Sequence, residues 1–144
     1  MQLRNKARSL FLFAAIPLLF SCDSAFGQQL YWSDFGANSM DNQSVGHVGL
    51  DGTGSVVINR SSSPLGMATD DSSGQAYWLE AGGVVASNAD LNNPHTLAAS
   101  TGALVLNLAI DPAANIVLWT AYTNSTIQRA RLSDGAPLAS FAAG

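Results

Sequence analysis

The sequence predicts an all-β chain that repeats a four-stranded unit, and three observations support this prediction. Three tryptophans, Trp32, Trp78 and Trp119, recur at intervals of 46 and 41 residues. Two aspartates, Asp70 and Asp111, each stand eight residues before a tryptophan. After the N-terminal segment, apolar and polar residues alternate as in half-buried strands, and no helical periodicity extends beyond about two turns. A period of this length with four short strands is typical of a propeller blade.

The first 27 residues have the form of a secretory leader. Three basic residues within the first eight positions precede an apolar run from Leu10 to Phe20. This run is too short to cross a membrane as a helix and fits the apolar part of a signal peptide. We therefore expect residues 1–27 to form a signal peptide helix and residues 28–144 to form an exported domain, which is periplasmic, secreted or held at the cell surface.

Two processing sites remain open. Ala25 and Gly27 form a small-x-small cleavage site that would leave Gln28 as the new N-terminus. Alternatively, the segment Leu19–Cys22 resembles a bacterial lipobox, in which Cys22 would be lipidated. Contact with a membrane is expected only in this second case.

The predicted mature domain is acidic and carries few charges. It holds nine of the ten acidic residues but only three basic ones, a formal charge of −6, and it contains neither lysine nor cysteine. Its basic residues are Arg60, Arg129 and Arg131. Nucleic acids and anionic membrane surfaces require clustered basic side chains, so the composition excludes both as partners. Without cysteine, no disulfide framework supports the domain.

The strands group into three units along the chain. Residues 30–60 contain three strand patterns, and residues 64–99 and 104–141 contain four each. The outermost strands are predicted at Ser55–Asn59, His95–Ala99 and Pro137–Phe141, and tight turns at 71–74 and 112–115. The sequence therefore predicts a partial β-propeller of about three four-stranded antiparallel blades, of which the first is incomplete.

The motifs resemble a known repeat family. Tyr31-Trp32-Ser33-Asp34, Tyr77-Trp78 and the element Gly66–Asp70 are similar to the YWTD repeat, also called the low-density-lipoprotein-receptor class B repeat. The resemblance extends over nearly all of residues 30–141 and implies blades of a six-bladed β-propeller. The third unit departs most from the motif, because Leu118 replaces its tyrosine and Ala121 its final aspartate.

The resemblance gives the motif residues a structural role. They are Tyr31, Trp32, Asp34, Asp70, Tyr77, Trp78, Glu80, Asp111 and Trp119. Adjacent tyrosine and tryptophan residues on one strand point to opposite faces, so each blade has a large ring on either side. The resemblance also implies that the aspartates tie strands or neighbouring blades by hydrogen bonds, since an unpaired buried carboxylate would be costly.

The sequence offers little for catalysis or metal binding. Only His47 and His95 are available, both interpreted as solvent-facing, and neither a nucleophile elbow nor a zinc-ligand spacing is present. The acidic and amide-rich segments Asn38–Asn42, Asp70-Asp71 and Asp90–Asn93 do not match a calcium loop. We therefore expect a protein that is not an enzyme and that holds no cofactor.

Two functions from different classes follow. The resemblance implies an exported, non-catalytic repeat module that binds a protein or a glycan. The alternative is a remnant of a metal-dependent six-bladed propeller enzyme, similar to lactonases and SMP-30, which would need several converging acids. The acids here recur at repeat positions instead, which favours the binding module.

The blade count raises the question of what completes the array. Closed propellers have four to eight blades, and open ends leave apolar blade faces uncovered. The chain could be a truncated family member, it could form a homodimer that closes a ring head-to-tail, or it could dock on another partner. The truncated member is the preferred expectation of the three.

Overall fold

The computed structural model describes residues 29–36, 43–101 and 105–142. In these ranges the chain forms eleven strands in three antiparallel sheets, which confirms the predicted all-β, partial propeller fold. The proposed signal peptide and its processing residues Cys22, Ala25 and Gly27 lie outside the described residues. Within the described part of the chain, no helix is long and apolar enough to cross a membrane.

Each sheet is a blade whose strands pair in chain order. The first blade contains β1 (Gln29–Asp34), β2 (Gln43–Gly49) and β3 (Val56–Arg60). The second contains β4 (Leu65–Asp70), β5 (Gln75–Glu80), β6 (Gly83–Asn88) and β7 (His95–Ala99). The third contains β8 (Val105–Asp111), β9 (Ile116–Ala121), β10 (Thr126–Arg131) and β11 (Pro137–Ala142).

The strand predictions agree with these boundaries. The predicted outer strand His95–Ala99 coincides with β7, and the other two outer strands differ from β3 and β11 by one residue. The predicted turns 71–74 and 112–115 join the first two strands of the second and third blades. A short 3-10 helix, Tyr122–Asn124, follows β9 and was not predicted, because three residues are too few to show a period.

The core lies between the blades. Tyr77 and Trp78 are neighbours on β5, and their rings enter different clusters. Tyr77 packs with Val117 and Trp119 of the third blade. Trp78 packs with Val45 of the first blade. Since successive residues of a strand point to opposite faces, one tyrosine–tryptophan pair places an aromatic ring in each of the two interfaces.

The inner strands of the second and third blades approach closely at Gly66. A Cβ atom there would lie 3.1 Å from both Cα of Asn107 and the backbone nitrogen of Leu108 in β8. That distance is tighter than ordinary van der Waals contact. The missing side chain thus allows β4 and β8 to lie side by side at the inner edge of the array.

Two adjacent glycines provide a test of this architecture: Gly82 lies in the turn between β5 and β6, and Gly83 begins β6. Gly83 has φ of +132°, and an added Cβ would overlap the carbonyl oxygen of Ala98 and lie 2.7 Å from the nitrogen of Ser100. We expect Gly83→Ala to lower the free energy of unfolding by about 3 kcal/mol, because it combines backbone strain with overpacking.

Gly82→Ala is the matched control. A Cβ atom at Gly82 meets no heavy atom within 4 Å, so its effect should stay within about 0.5 kcal/mol. Urea denaturation followed by tryptophan fluorescence measures both variants. Equal stability of the two would contradict the close approach of β6 to β7.

Candidate functional site

Tyr31 connects the first two blades. Its hydroxyl group donates a hydrogen bond to the carbonyl oxygen of Ala89 in the second blade, at 2.8 Å, and lies 2.7 Å from Oε1 of Gln29. Burial, reinforced by the negative charges of Asp90 and Asp71, raises the pKa of Tyr31 to about 12. The hydroxyl therefore keeps its proton, and its role as a donor, throughout the physiological range.

Tyr77 occupies the corresponding position in the second blade. Its hydroxyl lies 3.2 Å from Oε1 of Gln75, so the glutamine two residues earlier on the strand is part of the repeat. Burial raises the pKa of Tyr77, and the charge of Asp70 adds to this effect while a hydrogen bond with Ser73 opposes it.

Trp78 belongs to a charged contact that crosses from the second blade to the first. Its indole Nε1 donates to Oε1 of Glu80 at 2.8 Å, and the same carboxylate oxygen accepts from Nε of Arg60 at 2.6 Å. The Arg60 guanidinium also lies 5.5 Å from the centre of the Trp78 ring. Glu80, which replaces the motif's aspartate, thus binds Arg60, a partner that the composition and spacing of the sequence did not indicate.

Trp119 makes a neutral version of this contact between the second and third blades. Its Nε1 donates to Oγ of Ser100 at 3.4 Å. Gln128 bonds to the same segment, because its side-chain oxygen accepts from the backbone nitrogen of Thr101 at 3.2 Å and its amide donates to the Thr101 hydroxyl. Ser100, Thr101 and Gln128 therefore take the place of the ion pair in this interface, in which Ala121 stands in place of an acid.

Trp32 lies on the face of the first blade that points away from the second. It pairs across β1 and β2 with Gly46, and its ring covers that glycine. The side chain is only partly buried, whereas Trp78 and Trp119 are fully enclosed. Trp32 therefore occupies the motif position without an adjoining blade among the described residues.

The three motif aspartates support turns within a blade. Asp34 accepts from the nitrogen of Gly36 at 3.0 Å, and Asp111 from the nitrogen of Ala114 at 3.0 Å. Asp70 accepts from the nitrogen and hydroxyl of Ser72 at 2.9 and 2.6 Å, and from Ser73 at 2.7 Å. Each of these bonds spans two or three residues, as in Asx turns, so these contacts fix hairpins and do not cross between blades.

Asp70 shows how such a turn holds a buried charge. Burial alone would raise the pKa of this carboxyl, but hydrogen bonds from Ser72 and Ser73 more than offset it, and the pKa is lowered. The charged carboxylate is satisfied by its own turn and is not held ready for proton transfer.

The prediction of solvent-facing histidines is wrong for His47. Its side chain is only 3% exposed, and it lies opposite Tyr31 on the face that packs against the second blade, with 5.3 Å between ring centres. The family resemblance suggested an outward position, but His47 lies two residues from Val45 on the same face of β2, and the second blade covers that face. Neither ring nitrogen has a hydrogen-bond partner in the part of the chain that the structure describes. His95 is exposed at the start of β7.

A groove opens between the second and third blades beside Tyr77. It has a volume of about 290 Å³. Its polar lining includes Asp70, Ser73, Gln75, His95, Asn115 and Ser133, and Leu97 and Leu132 form its apolar part. Hydroxyl, amide and imidazole groups beside a tyrosine ring can bind a neutral polar ligand by hydrogen bonds and ring contact.

Within the described ranges, no three His, Cys, Asp or Glu side chains come together in a group that could hold a metal ion. The segment Asn38–Asn42, one of those considered for calcium, lies outside these ranges. Asp70 and Asp111 end the first strands of different blades, and Glu80 lies at the end of β5. The acidic residues of the motif are therefore spread over different strands and blades at equivalent positions of the repeat.

Comparison with solved structures identifies the architecture as a β-propeller. A chain in the crystal structure of a nidogen/laminin complex matches with a TM-score of 0.65 and 18% identity, over 79% of this chain and 43% of the other. A gluconolactonase from Xanthomonas campestris matches with a TM-score of 0.61 and 15% identity, over 76% and 42%. This chain thus spans less than half the length of either. No family model matches the sequence.

The Arg60–Glu80 contact gives a testable prediction. We expect Arg60→Ala to lower the free energy of unfolding by about 2–3 kcal/mol, because the arginine both pairs with a carboxylate that is only 12% exposed and covers Trp78. The control is Arg131→Ala, which breaks an ion pair with Asp134 whose side chains are about half exposed. That change should cost less than about 1 kcal/mol. Similar losses for both arginines in urea denaturation would refute an interblade role for Arg60.

His47 gives a prediction of the opposite sign. Replacing it with leucine removes two buried nitrogens that lack partners and keeps a similar volume, so we expect His47→Leu to raise the free energy of unfolding by about 1–2 kcal/mol. His95→Leu, at an exposed site, should change it by less than about 0.5 kcal/mol. Thermal and urea unfolding measure both variants, and a clear loss of stability in His47→Leu would show that the imidazole is satisfied in solution.

Proposed function

We propose that this chain is an exported, non-catalytic β-propeller repeat module of the YWTD class that binds a protein or a glycan. The proposal rests on the β-propeller fold and on the YWTD-like motifs at Tyr31–Asp34 and Tyr77-Trp78. One of the similar structures belongs to a nidogen/laminin complex, that is, to an assembly between proteins. Export rests on the leader-like residues 1–27.

The observation that most favours binding over catalysis is the use of the carboxylates. Asp34, Asp70 and Asp111 accept hydrogen bonds from their own turns. Glu80 is bound by Arg60 and Trp78. A propeller hydrolase needs acids whose oxygens point together at a metal or a substrate, whereas these oxygens are engaged in holding turns and blades.

The groove between the second and third blades is the binding site that we propose. Its lining offers both donors and acceptors, and its one carboxylate, Asp70, is already bonded to Ser72 and Ser73. Tyr77 adds an aromatic ring. Such a hydroxyl- and amide-rich surface, whose carboxylate is bonded within its own turn, suits sugar hydroxyls or the backbone of an extended peptide.

The alternative function is a remnant of a metal-dependent lactonase. The similarity to a gluconolactonase supports it, although at 15% identity that similarity concerns the fold. On this alternative, the purified protein should bind calcium and hydrolyse a simple lactone.

One set of measurements distinguishes the two functions. Calorimetric titration with calcium and a gluconolactone hydrolysis assay should both give no signal. An array of glycans and extended peptides should give a ligand whose affinity falls at least about 10-fold in Ser133→Ala or His95→Ala, since both lie in the groove. Thr96→Ala, exposed on β7 and outside the groove lining, should bind normally. Calcium binding together with lactone turnover would overturn the proposal in favour of the enzyme.

A further inference from the structure

We propose that this chain forms a homodimer through the two outer faces of its three-blade array. These two faces carry residues that correspond to the two sides of an internal interface between blades. The third blade of each copy would contact the first blade of the other. Two such contacts close a head-to-tail ring. This inference is independent of the groove and its ligand.

The strand register shows which residues correspond between blades. Tyr31 pairs with His47, Tyr77 with Ala86 and Leu118 with Arg129. The tryptophans pair in the same way with Gly46, Val85 and Gln128. The correspondence continues into the next turn, where Leu50 takes the position of Ala89 and Leu132. We call the face of a blade that carries Tyr31, Tyr77 or Leu118 its tyrosine side, and the face that carries the tryptophan its tryptophan side. Each interface thus combines the tyrosine side of one blade with the tryptophan side of the next.

The outer face of the first blade is a tryptophan side against which no blade lies among the described residues. Its Leu50 is 68% exposed, whereas the corresponding Ala89 and Leu132 are only 9% and 8% exposed in the two internal interfaces. Val57, next to Gly46 on this face, is also exposed. Trp32 is partly exposed in the position that Trp78 occupies in the core. Apolar residues are therefore present where an adjoining blade would cover them.

The outer face of the third blade is the complementary tyrosine side. Ile127 corresponds to the fully buried Val84 and Val45, and Phe141 to the buried Ala98, because each pair is joined in the same register. Phe141 is exposed. An apolar groove of about 290 Å³ runs across this face, lined in part by Ala109, Leu118 and Ile127. The groove lies on the tyrosine side of the third blade, where the tryptophan side of another blade would pack.

Charge complementarity supports a second copy as the occupant. In the internal interface, Tyr31 donates a hydrogen bond to the carbonyl oxygen of Ala89 at 2.8 Å, and Asp90 is the next residue of that turn. Asp51 corresponds to Asp90 on the outer face of the first blade, and Arg129 lies beside the tyrosine position on the third. Stacking one copy on another in the internal register therefore brings the carboxylate of Asp51 towards the guanidinium of Arg129, which lies 4.1 Å from the centre of the Phe141 ring.

The size of the array agrees with closure by two copies. Three blades are present in the described ranges, and closed propellers contain four to eight. Two copies therefore supply six blades, a number within this range. A pair that keeps the internal interblade geometry covers both exposed faces at once.

Light scattering on the protein purified from an exporting host tests this inference. The solution mass should be twice the single-chain mass found by mass spectrometry. Leu50→Glu on the first-blade face and Phe141→Glu on the third-blade face should each give monomers, with association weakened at least about 100-fold. Each variant replaces an apolar side chain by a charge in both contacts of a closed ring, and the carboxylate of Phe141→Glu would also compete with Asp51 for Arg129. Thr96→Glu, exposed on the outer strand of the middle blade, is the matched control and should remain dimeric.

Mixing the two variants tests the head-to-tail geometry. The Leu50→Glu chain keeps an intact third-blade face and the Phe141→Glu chain an intact first-blade face, so the mixture should form a heterodimer through one contact. Circular dichroism shows whether both variants stay folded. A monomeric parent protein, dimers of either single variant, or folded variants that do not associate on mixing would each overturn the proposal.

Discussion

The packing of one blade against the next is the constraint on which the rest of this structure depends. A sheet of three or four short strands has two faces, and in the second blade the middle strands bury both of them. Tyr77 and Trp78 show the consequence, because adjacent residues on β5 enter different hydrophobic clusters. Each blade is thus stabilised mainly by its neighbours, as expected for a repeat structure in which every unit contacts only the next.

The polar side chains of the motif follow the same logic. Trp78 and Trp119 each place an indole N–H at a blade boundary, where it must find an acceptor. Glu80 provides it at one boundary, where the same carboxylate also accepts from Arg60, and Ser100 provides it at the other, beside Gln128 and Thr101. Different residues at corresponding positions therefore solve one physical problem. This use of the acids to join strands and blades leaves the grooves between blades as the surfaces available for ligands.

The sequence was most informative about what repeats locally. Alternating polarity and turn residues located the strands to within a residue at the outer edges of the blades, because hairpins are decided by neighbouring residues. The prediction failed for His47. The family resemblance suggested an outward strand position, whereas His47 lies on the same face of β2 as Val45, and the adjacent blade turns that face into a core. The partnership of Arg60 with Glu80 was missed for a similar reason, since it joins different blades.

The sequence by itself determined the all-β class, the three repeats and the positions of the aromatic pairs, because these depend on periods and spacings along the chain. The tertiary structure alone decided which ring faces which neighbour, that His47 is enclosed, and that Leu50 and Phe141 remain exposed while their counterparts are buried. The physical reason is that burial of a blade face is a property of two blades. A single repeat specifies the shape of its surface, and only the stacking order determines whether that surface meets another blade or solvent.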